Sequence, residues 1–347
     1  MVELHRGFDG FESLRPEGKT NKESQLSLSE GADDNAFLHE VKKSDMIKAE
    51  AIYESINNFI KPVMAKAAKG EESHIKGEEI LGWTQEIYDC LKKLVPDDLV
   101  RLFFAHDEYK ENYIFTHSIN VCLLCLRIAM ALNFSPERIR TLIIAALFHD
   151  IGMMKIPLNI WNKPEKLTRE EYEEVSKHVI YGEEILRNIP GIEEEVSIVA
   201  GQYHEKMDGS GYPRHLEKDS IHYEARLISL IDSYETGTHT RLWKPRSLPD
   251  KAIQKILDEE ASAFDPFYMK AMLQEISMFP VGSWVRISSG ETGKVEYANK
   301  DKPMRPVVDI IYDRAKKRLD RVRVLDLSSQ LLLYVEECVD PAEFHLT

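Results

Sequence analysis

The chain has 347 residues, 43% of them hydrophobic, enough to bury the core of a full domain plus one or two smaller ones. Its formal net charge of −14 argues against a general DNA or RNA binder, which carries a basic stripe. Four scattered cysteines exclude a disulfide framework, and no stretch approaches the roughly 18 apolar residues of a bilayer span, so a reduced, cytoplasmic protein without membrane attachment is expected.

Residues 1–35 are rich in Gly, Ser, Asp, Glu and Lys and read as a flexible leader without a signal peptide. Residues 36–100 read as a helical N-terminal region. Within it, Ile52, Ile56, Phe59 and Val63 form an apolar stripe at helical spacing, with Pro62 as the point of a kink or split. That stripe is read as intramolecular packing in preference to a dimer seam, with a homodimer through the N-terminal helices and a regulatory protein partner left open. A polar break follows at 70–77, then one or two helices interrupted near Pro96.

From 101 to 279 the pattern is almost all helical. One helix is expected over 112–133, and a second over 136–151, closed by Gly152. Thr168 and Glu171 form a capping box opening a helix to about Ile189, and further helices cover 193–206 and 224–234. Cys122 and Cys125 have CxxC spacing but lie in the apolar run 121–126 and read as core packing. After Pro280, short alternating runs at 283–287, 293–297, 307–312 and 331–336 predict a small β module over 280–347. The fold class is therefore mainly α, an all-helical bundle with a helical N-terminal region and a C-terminal β module.

The chemistry is concentrated in six side chains. His149 and Asp150 end the apolar run 142–148, where an unpaired carboxylate is costly and must neutralise, pair or bind a metal. His117, His178 and His204 lie beside or inside apolar helical patterns, and Asp232 sits on the same helix face as Ala225 and Ile228. Singly, each reads as a satisfied core or surface residue. Together, on neighbouring helices, they predict a shared metal cluster suited to phosphate-ester hydrolysis.

The order His117, His149-Asp150, Asp232, followed by His204-Glu-Lys-Met-Asp-Gly-Ser-Gly-Tyr-Pro213, resembles the HD-GYP family of metal-dependent cyclic di-GMP phosphodiesterases over roughly residues 105–275. The resemblance implies an HD-type bundle at 101–279. It implies divalent ions, Fe or Mn with Zn not excluded, and the departures from the family pattern given below make two the expected number, without a third. His117, His149, Asp150 and Asp232 would hold one ion; Asp150 would bridge to a second completed by His178 and His204. A metal-bound hydroxide would attack phosphorus to give linear pGpG, with GMP as a further product. Asp150 and Lys155 are the expected catalytic residues. Arg241, Lys244, Tyr212, Gly209, Gly211 and Asp208 are the expected substrate contacts, Asp208 mainly as a brace of the loop.

Three positions depart from the family's usual pattern: Tyr203 stands where a further His is common, Met153 where Lys is common (Lys155 lies two further on), and Tyr113 where some members have Glu. Glu235 keeps a carboxylate where Asp is usual. The departures leave two alternatives to the enzyme: a cyclic di-GMP-binding or protein-interaction module of little activity, and a hydrolase of another cyclic dinucleotide.

Overall fold

The computed structural model describes residues 32–94, 96–105, 113–161, 163, 165–239 and 247–344. The leader reading for 1–31 lies outside them. Residues 43–347 form one compact unit; of residues 1–42, the described part is the helical backbone of 32–42.

Helix α1 (Ala32–Ala68) runs through Pro62 without dividing. Ile56, Ile60 and Val63 are buried and Phe59 stacks on Trp83 at 3.9 Å, so the N-terminal stripe packs within the chain. Helices α2 (Gly77–Leu91) and α3 (Pro96–Ala105) lead to α4 (Tyr113–Ala131), which packs against α3, α5 (Pro136–Phe148), α10 (Tyr223–Thr238) and α12 (Pro266–Glu275). Helix α4 corrects one expectation. Its 19 residues are long and apolar enough to cross a membrane by composition, with a mean hydropathy of 1.6. The physical reason is position: most of the helix is buried as the central element of the protein, and its Arg127 is neutralised by Glu275 at 2.6 Å.

The helix expected from 168 to 189 is two. The capping box forms as read, Thr168 accepting from the Glu171 amide at 3.2 Å and Glu171 from the Thr168 amide at 2.8 Å. The helix then breaks at Lys177 into α7 (Arg169–Ser176) and α8 (His178–Arg187). Helix α6 (Leu158–Trp161) precedes this pair, α9 (Glu194–Gln202) follows it, and α11 (Pro249–Glu259) leads into α12.

The β module is one antiparallel sheet of order β4-β3-β2-β1-β5, from β1 (Trp284–Ile287), β2 (Thr292–Tyr297), β3 (Val307–Tyr312), β4 (Arg318–Asp326) and β5 (Val335–Cys338). Its core of Val285, Ile287, Val295, Val308, Ile310 and Leu327 is separate from that of the helices, and Met278 packs on both. Two expectations are corrected. The last strand begins at Val335, and Leu331 and Leu332 before it are exposed. Strand β4 lies outside the expected runs: it is an edge strand with few buried positions, and the Val322 and Val324 of its Arg-Val-Arg-Val stretch are exposed.

Candidate metal centre

His117 projects from α4, Asp232 from α10, and His149 with Asp150 from the turn that ends α5. The packing of α4 on α5 and α10 brings these donors together. His117 Nε2 lies 3.1 Å from His149 Nε2, 3.2 Å from Asp232 Oδ1 and 3.5 Å from Asp150 Oδ2, and His149 Nε2 is also 3.5 Å from Asp150 Oδ2. The other ring nitrogens are engaged: His149 Nδ1 donates to the Ala146 carbonyl at 2.8 Å, and His117 Nδ1 lies 2.5 Å from Glu235 Oε2. Those bonds point both Nε2 lone pairs at the same space, the arrangement by which an outer carboxylate or carbonyl orients a metal-bound imidazole. Adjacent ligands of an ion with bonds of about 2.1 Å stand roughly 3 Å apart. The donors of His117, His149 and Asp150 lie close enough together to hold one ion, with Asp232 beside them against His117.

The electrostatics agree. Burial opposes charge on His117, but Glu235 and Asp232 overcome it and push its pKa up to about 10. Burial lowers His149 and takes His204 down to about 3. Asp150 and Asp232 are held well below the usual carboxylate range: burial resists this, and the surrounding histidines outweigh it. A divalent ion would take the place of the proton that His117 otherwise holds.

The other half of the expected cluster is arranged differently. A short 3-10 turn (Ile151–Lys155) packs so tightly on α8 that a Cβ on Gly152 would lie 1.9 Å from the His178 carbonyl oxygen. This contact sets His178 Nε2 3.4 Å from Asp150 Oδ1. The hydroxyl of Tyr203 bonds both, donating to Asp150 Oδ1 at 2.7 Å and lying 2.6 Å from His178 Nε2. His204 meets the ring of His178 edge-on at 5.2 Å between centroids. Among the described residues, the donor atoms of His117, His149 and Asp150 lie mutually within 4.8 Å; Asp232, His178 and His204 do not join that group, Asp232 reaching it through His117 alone.

The glycine-rich loop starts at His204. Gly209 has φ of +76°, open to glycine at little cost, and a Cβ on Gly211 would lie 2.4 Å from the His204 carbonyl oxygen and the Lys206 amide. The tight turn lays Tyr212 on the His204 ring, 4.7 Å between centroids. Asp208 braces the loop as read, accepting from the Ser210 amide at 3.0 Å and from Ser262 Oγ at 2.9 Å.

Lys155 meets Glu72 at 3.0 Å, the partner the structure gives its ammonium. Arg241 and Lys244 lie outside the described residues. Three supporting roles escaped the sequence reading. Glu235 orients His117. Glu205, fully buried, holds the loop by accepting from the amides of Arg214 at 2.7 Å and Leu216 at 3.0 Å. Lys206 donates to Ser229 Oγ at 3.1 Å and lies over the Phe264 ring; burial lowers its pKa, and Asp232 works against that. The only signal for Glu205 and Lys206 was their place between His204 and the loop.

These helices and donors define an HD-domain protein. Residues 101–267 match the HD domain family, and 284–346 match the family described as KOW domain associated with HD domain. The chain therefore carries an HD domain, and its Gly-Tyr-Pro loop is similar to that of the HD-GYP proteins. It is 31% identical to cyclic di-GMP phosphodiesterase PA4108 of Pseudomonas aeruginosa over 217 residues, 62% of this chain and 52% of that protein. It is 33% identical to 3'3'-cGAMP-specific phosphodiesterase 1 of Vibrio cholerae over 153 residues, 44% of this chain and 35% of that protein. The chain thus spans about half or less of the length of these two relatives. Among solved structures, Bd1817, an HDG"Y"P protein from Bdellovibrio bacteriovorus, aligns with a TM-score of 0.43 and 17% identity, covering 70% of this chain and 79% of that one.

Proposed function

We propose that residues 101–279 are the catalytic domain of a metal-dependent phosphodiesterase that opens cyclic di-GMP to linear pGpG. The observation that carries this reading is the convergence of His117, His149 and Asp150, with Asp232 against His117 and two imidazole Nε2 atoms 3.1 Å apart. A divalent ion held there, Fe or Mn, would polarise a phosphoryl oxygen and lower the pKa of a water. The chain's own residues would do the rest. Asp150 and Asp232 balance the charge of the ion, and Glu235 keeps His117 in its ligating tautomer. Tyr212 offers a ring for a base or a hydroxyl for a phosphate at the edge of the centre. Gly209 and Gly211 let the backbone approach the nucleotide, and Arg241 and Lys244 are assigned to its phosphates from the motif alone. Free buried thiols at Cys122, Cys125 and Cys338 fit a reducing, cytoplasmic setting.

A second reading, hydrolysis of 3'3'-cGAMP, is favoured by the relatives named for that substrate. One assay separates the two. Protein prepared without oxygen and loaded with Fe(II) or Mn(II) is given each dinucleotide, and products are resolved by chromatography. Accumulating pGpG with slower loss of cGAMP supports the first reading, and the reverse preference supports the second. No loss of either by protein shown to hold metal sinks both and leaves a binding module. Asp150→Ala is expected to lose metal and turnover together.

A further inference from the structure

We propose that the centre holds one metal ion per chain, and that the buried hydroxyl of Tyr203 fills the place a second ion would take between Asp150 and His178. This rests on the metal-dependent reading of the same site, but concerns ion number rather than turnover.

Asp150 faces two ways. Its Oδ2 lies with His117 and His149, and its Oδ1 lies with His178. In a two-ion centre Oδ1 and His178 Nε2 would bind the second ion at about 2.1 Å each. Here the Tyr203 oxygen already stands 2.7 and 2.6 Å from those same two atoms, so an ion on that side would overlap it. His178 cannot offer its other nitrogen, because Nδ1 faces the Val175 carbonyl at 2.6 Å.

The hydroxyl is also hard to displace. Tyr203 is fully buried, and its ring is wedged between His149 at 4.7 Å and His204 at 4.1 Å. A phenol reaches its hydroxyl through a rigid ring, so clearing the oxygen means moving the ring through that packing. A histidine at this position would be shorter and would bring a lone pair instead of a hydroxyl. His204, the third ligand such an ion would need, is turned to the rings of Tyr203, Tyr212 and His178. The hydrogen bond from Tyr203 to Oδ1 has a use of its own: it holds the Asp150 carboxylate so that Oδ2 faces the first ion.

The test counts ions. The full chain is stripped with chelator, equilibrated with excess Mn(II), desalted, and its manganese measured by plasma emission against protein concentration. Electron paramagnetic resonance is recorded on the same samples, since paired Mn(II) ions couple and isolated ones do not. The expected result is one uncoupled ion per chain in the wild type and two coupled ions in Tyr203→His. Two ions in the wild type overturn the inference whatever the turnover, including the case in which Tyr203 itself becomes a ligand. A folded Tyr203→His chain that stays at one ion overturns it as well. If the phosphodiesterase reading alone is wrong, the count stays at one and no dinucleotide is consumed; a count of zero overturns both.

Discussion

His117 is the residue at which the electrostatics of the centre are sharpest. Glu235 and Asp232 hold a proton on it that burial alone would remove. A folded pKa raised from the ordinary 6.5 to about 10 contributes stability that is complete below pH 6.5 and lost as pH rises to about 10. His204 works in the opposite sense. Burial takes it to about 3, so its contribution is present above pH 6.5 and lost as pH falls toward 3. Metal-free protein is therefore expected to be most stable near pH 6.5 and to melt at lower temperature on either side. Calorimetry from pH 4 to 10 checks this; a melting temperature that climbs steadily through pH 9 would refute the assignment. The carboxylate behind His117 has its own test. Glu235→Gln keeps the shape but loses the charge, and metal affinity is expected to fall about 10–100-fold. Isothermal titration with Mn(II) reads this, and an unchanged affinity would mean that Glu235 merely fills space.

At the scale of elements, the centre depends on how closely the turn after α5 meets α8. Gly152 permits that contact, since any Cβ there would collide with the His178 backbone. Gly152→Ala is expected to lower stability by about 1–3 kcal/mol, the usual cost of forcing extra volume into a packed site. It is also expected to weaken metal binding, because Asp150 precedes the turn that must shift. Urea unfolding and a metal count measure the two effects, and a wild-type result in both would show that the backbone yields at no cost. Gly211→Ala displaces Tyr212 from the His204 ring while leaving α4, α5 and α10 in place. Dinucleotide turnover is expected to drop by at least tenfold with metal content unchanged; loss of the metal instead would tie the loop to the ion-binding helices.

At the scale of the molecule, two apolar cores are joined through Met278 and a few polar contacts. Arg101 of α3 donates to the Glu296 carbonyl of β2 at 3.0 Å, and the Cys338 amide of β5 lies 3.4 Å from Asp250 of α11. Ending the chain after Phe279 removes these contacts and uncovers Met278. The shortened protein is expected to keep its metal, because every donor lies before that point, but to melt several degrees lower, in line with a loss of about 1–2 kcal/mol. Thermal unfolding with a metal count decides this; loss of the ion would mean that the β module supports the centre from a distance.

The helical character of the body, the β module after Pro280, the capping box at Thr168 and the residue types of the candidate metal cluster were all legible in the sequence. Each rests on local periodicity, on turn chemistry, or on the cost of placing His and Asp in apolar surroundings. The break at Lys177 and the edge strand β4 were not legible, since a helix stop without Gly or Pro and a mostly exposed strand leave little hydrophobic pattern. The membrane-like composition of α4 could be resolved only by the neighbours that bury it. The same limit applied at the centre. The sequence marked Tyr203 as a departure from the HD-GYP pattern, but not where its hydroxyl would stand. Residue types and spacing determined which groups could bind a metal; the packing of α4, α5, α8 and α10 decided which of them meet, because donor atoms must converge within about 2 Å of one point and that convergence is set between helices far apart in the chain.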